Sequence, residues 1–257
     1  MIFLLPYSRS SHIVHTMNDS LVDPKGAARR PAQGGPPLAL LAAISLGLLF
    51  AGLGVGVALG GVMPLPYGSA TAIQDYVSSH HDAAVAIAVG TFGSSIPLAI
   101  YAATASARLR QLGITAPGAT IALAGGLLAS TGLALSGLTA WTLSRPEVTS
   151  DAALVRALYY LTYLTGGPWH VVTLGLLIAG IAVPSLIVGF LPRPVAWTGL
   201  VIAALAELTT LVLIWPALSP LLPVARFTGL IWLIVAGALL PLRRRNKREE
   251  RAGVGSP

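Results

Sequence analysis

Six long apolar stretches dominate this sequence, at about 38–63, 83–105, 117–142, 169–191, 195–215 and 223–242. Each has about 20 or more residues, which as a helix rising 1.5 Å per residue crosses roughly 30 Å of hydrocarbon. A helix satisfies its backbone hydrogen bonds internally, as a chain in lipid must. The sequence therefore predicts an all-α fold, a bundle of six transmembrane helices that occupies residues 38–242.

The low charge content supports a lipid environment. Only 10% of the residues are charged and 54% are hydrophobic, whereas soluble domains have about 25% charged residues. The chain has no cysteine, which excludes disulfides, thiolate metal sites and a cysteine nucleophile. It also has no phosphate loop, GxGxxG or GxSxG motif. We therefore expect a protein that is not an enzyme, with no catalytic residue, cofactor or metal.

The two ends of the chain differ from its apolar middle. Residues 1–37 are rich in Pro, Gly, Ser and charge, which predicts a disordered tail. Residues 243–257 begin with a basic run that is typical of segments that bind anionic lipid beside a membrane. Nucleic acid is a poor alternative partner, because a short tail at the bilayer lacks a recognition fold.

The distribution of basic residues predicts the orientation. If the N-terminus is cytoplasmic, thirteen of the 16 Lys and Arg residues lie inside, and three lie outside: Arg145, Arg156 and Arg226. The opposite orientation would reverse this bias. We therefore expect a multi-pass protein of the bacterial plasma membrane with both termini in the cytoplasm.

The predicted outer side has its own local structure. Residues 70–79 and 151–165 have mixed polarity and predict two short interfacial helices. Tyr159, Tyr160 and Tyr163 follow one another there, and Gly166-Gly167-Pro168 predicts a helix break before the fourth span.

Small residues recur at every fourth position in three spans, which places them on one face of each helix. Such faces let helix backbones approach closely in lipid. The faces are Gly52, Gly56 and Gly60; Ala86, Gly90 and Ser94; and Gly118, Ala122, Gly126, Ser130 and Ala134. Packing inside the bundle is the favoured interpretation, and a homodimer face is the alternative.

Glu207 is the only acidic residue inside any apolar stretch. A charged side chain near mid-membrane costs roughly 3 kcal/mol, so we expect Glu207 to face the bundle interior or to stay neutral. It would then act in a proton or cation relay, contact a polar ligand, or simply fix helix packing. Arg226 either pairs with it or, as we favour, extends to the headgroups. The predicted polar pocket comprises Glu207, His170, Tyr163, Trp169, Ser94, Ser95 and Arg226.

Histidines on the outer side raise the question of haem or metal. His80 and His81 precede the second span, and His170 begins the fourth. Haem ligation between helices needs histidines buried within the spans, whereas these are expected at the boundary. A role in capping the helices is therefore favoured.

Three segments carry a family resemblance: residues 161–170, LTYLTGGPWH; residues 191–199, LPRPVAWTG; and residues 226–232, RFTGLIW. With them, the chain resembles an uncharacterised bacterial family of six-span membrane proteins, defined only as a domain of unknown function. The resemblance covers about residues 38–242. It implies a helical membrane bundle and provides no catalytic residue.

Three functions are consistent with the sequence. The first is a non-enzymatic membrane protein with an outward-facing polar pocket, which acts in sensing or in the assembly of other components. The second is a small-solute or proton-coupled ion transporter that uses Glu207. The third, least favoured, is a haem or redox protein that uses the histidines.

Overall fold

The computed structural model describes residues 35–114 and 117–241 of the chain. The predicted tails, 1–37 and 243–257, fall almost entirely outside this range and stay predictions. The α-helices, in chain order, are α1 (Leu38–Gly60), α2 (Ala70–Ser79), α3 (His81–Gln111), α4 (Gly118–Leu143), α5 (Pro146–Thr149), α6 (Ala152–Leu164), α7 (His170–Val188), α8 (Arg193–Leu208) and α9 (Leu221–Leu239).

Within residues 35–114 and 117–241, six helical segments are long and apolar enough to cross a membrane. They correspond to the six apolar stretches of the sequence, so the predicted all-α fold with six helices of membrane-spanning length is confirmed for this part of the chain. The segments are Leu38–Gly60, His81–Gln111, Gly118–Leu143, Ala152–Val188, Arg193–Leu213 and Pro216–Leu239.

The helix break that the sequence predicts in the fourth segment is absent. Gly166-Gly167-Pro168 does not break the helix, because residues Thr165–Trp169 form a π-helical turn that joins α6 to α7. One helical segment of 37 residues results. A π turn accommodates the missing N–H of Pro168, and such turns are common at functional sites.

The six segments form a closed ring in which each packs against the next in the sequence, and α9 returns to α1. Neighbours are antiparallel. We call the end that holds residues 61–80, 144–151 and 214–220 the looped end, which is the predicted outer side.

The small-residue faces mediate contacts inside this ring. A Cβ atom on Gly52 of α1 would lie 2.7 Å from the Cα atom of Gly90 in α3. A Cβ on Gly126 of α4 would overlap Ala102, and one on Gly118 would overlap Pro184 of α7. These faces therefore pack within the chain, as favoured from the sequence. The homodimer stays a prediction.

The looped end is covered by short helices and side-chain hydrogen bonds. The predicted helix Ala70–Ser79 is present, and α6 occupies most of the predicted 151–165. Asp151 caps α6 by accepting hydrogen bonds from the N–H groups of Ala153 (2.9 Å) and Leu154 (3.1 Å). The hydroxyl of Tyr159 donates to the carbonyl of Pro64 and ties α6 to the loop after α1.

Candidate functional site

A cavity of about 600 Å³ lies inside the looped half of the ring. Its walls come from α1, α3, α4, α6, the π turn, α9 and the segment before α9. The apolar part of the wall is formed by Leu49, Leu53, Ile87, Leu133, Leu222 and Phe227. Hydroxyl groups come from Tyr67, Thr91, Ser136, Thr162, Tyr163 and Ser219.

Arg226 is the only charged side chain among the described residues that line the cavity. One guanidinium nitrogen donates a hydrogen bond to the carbonyl of Gly166, and Nε is buried without a hydrogen-bond partner. Within residues 35–114 and 117–241, no carboxylate forms an ion pair with this guanidinium. The cavity therefore contains a positive charge that the described protein does not neutralise.

The π turn provides the carbonyl that holds Arg226. In an α-helix the N–H of His170 would donate to Gly166, but here it donates to the carbonyls of Thr165 and Gly167. The carbonyl of Gly166 can then accept from Arg226. Glycine is needed at this position, because a Cβ atom would overlap the hydroxyl of Ser136.

Most of the hydroxyl groups in the wall are already hydrogen-bonded. The hydroxyls of Tyr163 and Ser219 are 2.8 Å apart and join α6 to the segment before α9. Ser136 donates to the carbonyl of Thr162 at 2.9 Å. The hydroxyl of Thr91 forms no hydrogen bond with any residue of the described chain and remains free to bond a ligand.

Three tyrosines stand together at the mouth of the cavity. The ring of Tyr67 meets Tyr163 edge-on at 5.7 Å between centroids and Tyr160 at 6.1 Å. Partial burial, together with the adjacent phenol of Tyr163, raises the pKa of Tyr67 to about 12. Tyr67 is therefore neutral at physiological pH and does not repel an anion.

The positions of the lining residues in their helices give their depth. Arg226 lies five residues into α9, or about 8 Å from its beginning at the looped end. Leu49 lies eleven residues from the end of α1, and Leu133 ten from the end of α4, or roughly 15 Å from that end of the bundle. Thr91, ten residues into α3, lies at about the same depth. The floor is thus apolar except for the Thr91 hydroxyl, and Arg226 begins above it.

Two of the seven predicted pocket residues, Tyr163 and Arg226, line this cavity. Ser94 and Ser95 are buried elsewhere in α3, where their hydroxyls donate to the carbonyls of Thr91 and Phe92. Trp169 is 43% exposed, and its indole N–H donates to the carbonyl of Leu128 at 3.0 Å. The two serine hydroxyls thus bond within α3, Trp169 joins the π turn to α4, and none of the three residues contributes to the cavity wall.

His170 is deeper than predicted. It is fully buried, and its Nδ1 lies 3.0 Å from the carbonyl of Ala129, in the middle of α4. The boundary position expected from the sequence is wrong. The π turn before His170 joins α7 to α6, so His170 lies inside one long helical segment and not at its beginning. Since a carbonyl only accepts hydrogen bonds, Nδ1 carries the proton. Nε2 is buried without a partner in the described chain.

Glu207 does not face the bundle interior, so that prediction is wrong. Its side chain is exposed, accepts no hydrogen bond from any residue in the described ranges, and lies over Gly175 of α7. The reason is helix rotation. Ala206 is buried against α7, and the next residue is rotated by roughly 100° to the outside. Arg226 accordingly does not pair with Glu207 and instead donates to the carbonyl of Gly166.

His80 and His81 do have structural roles at the beginning of α3. Nδ1 of His80 lies 3.1 Å from the carbonyl of Tyr76, and Nδ1 of His81 lies 2.8 Å from the carbonyl of Ser144. These contacts connect α3 to α2 and to the end of α4.

Sequence reasoning missed Thr91, Ser136, Ser219 and the carbonyl of Gly166 as parts of the site. Hydroxyl residues occur in all six spans, so their presence alone indicates no site. The Gly166-Gly167-Pro168 segment was the one usable indication, since it marks an irregular backbone beside Tyr163. No family model, curated protein or solved structure matches the chain.

Proposed function

We propose that this chain is a non-enzymatic multi-pass protein of the plasma membrane that binds a ligand in the cavity at its outer side, and that it acts in sensing or in the assembly of other components. The observation that carries the proposal is the unneutralised guanidinium of Arg226 inside a cavity whose other described side chains are apolar or bear hydroxyl groups. A buried charge without a partner is costly, so its retention favours a ligand that completes the site.

The composition of the wall supports binding over catalysis. Acid–base and nucleophilic catalysis need titratable or activated groups that touch the substrate. The described lining contains no His, Asp, Glu or Lys, and its only charged group is a guanidinium, which keeps its proton in proteins.

The two other functions have less support. Transport that depends on Glu207 lacks a contact between that residue and the cavity. Haem binding through His170 would need space at Nε2, which is buried among protein atoms. Flux of a ligand in proteoliposomes would favour the transporter alternative.

Orientation is tested by fusing reporters at residues 30, 150 and 250. The proposed orientation predicts cytoplasmic signals at 30 and 250 and a periplasmic signal at 150, because thirteen of 16 basic residues are then inside. A periplasmic signal at 30 or 250 would place the cavity on the cytoplasmic side.

The open cavity is tested by cysteine labelling, since the chain has no cysteine of its own. Leu53→Cys places a thiol in the cavity wall. We expect a membrane-impermeant maleimide, added outside intact cells, to label it. The matched control is Ser94→Cys, at a fully buried position away from the cavity, which should stay unlabelled. If the thiol of the Leu53→Cys variant is unreactive in the folded protein but labels after denaturation, the proposal is contradicted.

A further inference from the structure

We propose that the ligand is an anionic amphiphile, with a carboxylate or phosphate monoester on a single apolar chain. Its head would bind Arg226, and its chain would extend toward the floor of the cavity. This inference rests on the proposed function and specifies the ligand of the same site.

The charge of the cavity determines the head group. Arg226 has a buried Nε without a partner, and its only hydrogen bond to the described protein is to the Gly166 carbonyl. A guanidinium presents a planar fork of N–H donors that matches carboxylate and phosphate oxygens. A neutral head would leave the charge unpaired, and a cationic head would be repelled.

The rest of the lining does not oppose the same head. No carboxylate is present among the described lining residues, and the phenol of Tyr67 at the mouth is neutral. The Thr91 hydroxyl, at the depth of the floor, is uncharged. An anionic head beside Arg226 would therefore meet no negative charge among these residues.

The floor determines the rest of the ligand. Below the level of Arg226, Leu49 and Leu133 lie roughly 7 Å deeper, judged from the rise of each helix. Leu53, Ile87 and Phe227 continue this apolar wall upward to about the level of Arg226. A small inorganic anion would leave it empty, whereas an alkyl chain attached to the head would cover it.

The size of the cavity favours one chain. About 600 Å³ is in the range of sites that hold a single drug-sized molecule. A single-chain amphiphile is of this size, whereas a two-chain phospholipid would have to leave part of its bulk outside.

The test is protection of the introduced thiol from the maleimide in Leu53→Cys protein reconstituted in phosphatidylcholine vesicles. The probes are dodecyl phosphate and dodecanoate, below their micellar concentrations. We expect at least one of them to slow labelling tenfold or more. Comparison of the two probes shows whether the site prefers a phosphate or a carboxylate head. Dodecyl maltoside and dodecyltrimethylammonium, with the same chain but neutral and cationic heads, should leave the rate unchanged.

The role of the charge is tested by adding Arg226→Gln or Arg226→Lys to the Leu53→Cys protein. We expect the glutamine variant to need at least tenfold more anionic probe for the same protection, and the lysine variant to need less than the glutamine variant. An unprotected labelling rate equal to that of the parent would show that the variant is folded. If it does not fold, a chain-length series on the parent replaces it, with protection falling from dodecyl to hexyl to methyl phosphate.

The outcomes separate this inference from the proposed function. If the Leu53→Cys thiol is not labelled at all, the open cavity itself is refuted. If the thiol is labelled but neither anionic probe protects it, or dodecyl maltoside protects it equally, the amphiphile is refuted and the cavity stands. Equal protection by methyl and dodecyl phosphate would refute the apolar chain.

Discussion

The two halves of the helical ring are filled in different ways. In the half away from the loops, Leu98, Tyr101 and Ile178 are fully buried, and the Tyr101 hydroxyl donates to the carbonyl of Leu233 at 3.0 Å. In the looped half, five of the six segments line a cavity of about 600 Å³. We call this the hollow half. We call the other the solid half because its centre is packed, although an apolar groove of about 340 Å³ lies there between α4 and α7.

Close helix contacts occur in both halves. A Cβ on Gly125 of α4 would lie 2.6 Å from the backbone of Leu177, and one on Gly137, nearer the looped end, would lie 2.7 Å from the backbone of Phe92. What distinguishes the hollow half is the π turn Thr165–Trp169, which contributes Gly166 and Gly167 to the cavity lining. The cavity therefore accompanies an irregular backbone and not a lack of tight helix contacts.

The largest effect is expected from breaking the solid half. Gly126→Leu should destabilise the bundle by more than about 3 kcal/mol, because the side chain must push Ala102 of α3 aside. The matched control, Leu127→Ala, is at a position that is 44% exposed and should cost less than about 1 kcal/mol. Unfolding in detergent measures both. Similar losses for the two variants would show that the face is not tightly packed.

In the hollow half, removal of the Arg226 charge should increase the stability of the protein. Arg226→Met removes a buried, unneutralised guanidinium and keeps much of its volume, so the ligand-free protein should gain about 1–2 kcal/mol. Arg156→Met is the control, because Arg156 lies over the ring of Tyr160 outside the cavity lining, and its loss should change stability little. A destabilised Arg226→Met would mean that the bond to Gly166 outweighs the cost of the charge.

Removal of a single tyrosine hydroxyl should cost more stability in the solid half than in the hollow half. Tyr101→Phe removes a buried hydrogen bond between α3 and α9, at a cost of about 1 kcal/mol. Tyr67→Phe at the exposed mouth of the cavity should cost less than about 0.5 kcal/mol. Denaturation of the two variants side by side makes the comparison. An equal cost would remove the distinction between the halves.

The smallest effect is expected outside both halves. Glu207→Gln should change stability by less than about 0.5 kcal/mol, since the carboxylate is exposed and accepts no hydrogen bond from the described residues. When it is combined with Leu53→Cys, labelling and protection of the introduced thiol should also be unchanged. A loss above about 1 kcal/mol, measured in the same unfolding assay, would show that Glu207 does stabilise the bundle.

The fold was largely predictable from the sequence. The predicted first span, 38–63, corresponds to Leu38–Gly60, and the predicted 70–79 helix is α2. The bilayer requires about 20 apolar residues per crossing, which makes each span visible in the sequence alone. The π turn was not predictable, because Gly166-Gly167-Pro168 is locally a helix breaker. Contacts with Arg226 and Ser136 accompany its helical form in the bundle.

The candidate site depended on tertiary structure. Tyr163 and Arg226 line the cavity, whereas Glu207 was placed on the wrong side of its helix and His170 at the wrong depth. In water, an apolar stripe shows which face of a helix is buried. In lipid, both faces of a span are apolar, so the sequence determined the number and length of the helices but not their rotation. Only the packing of small residues in the ring decided that Arg226 points into the cavity and Glu207 away from it.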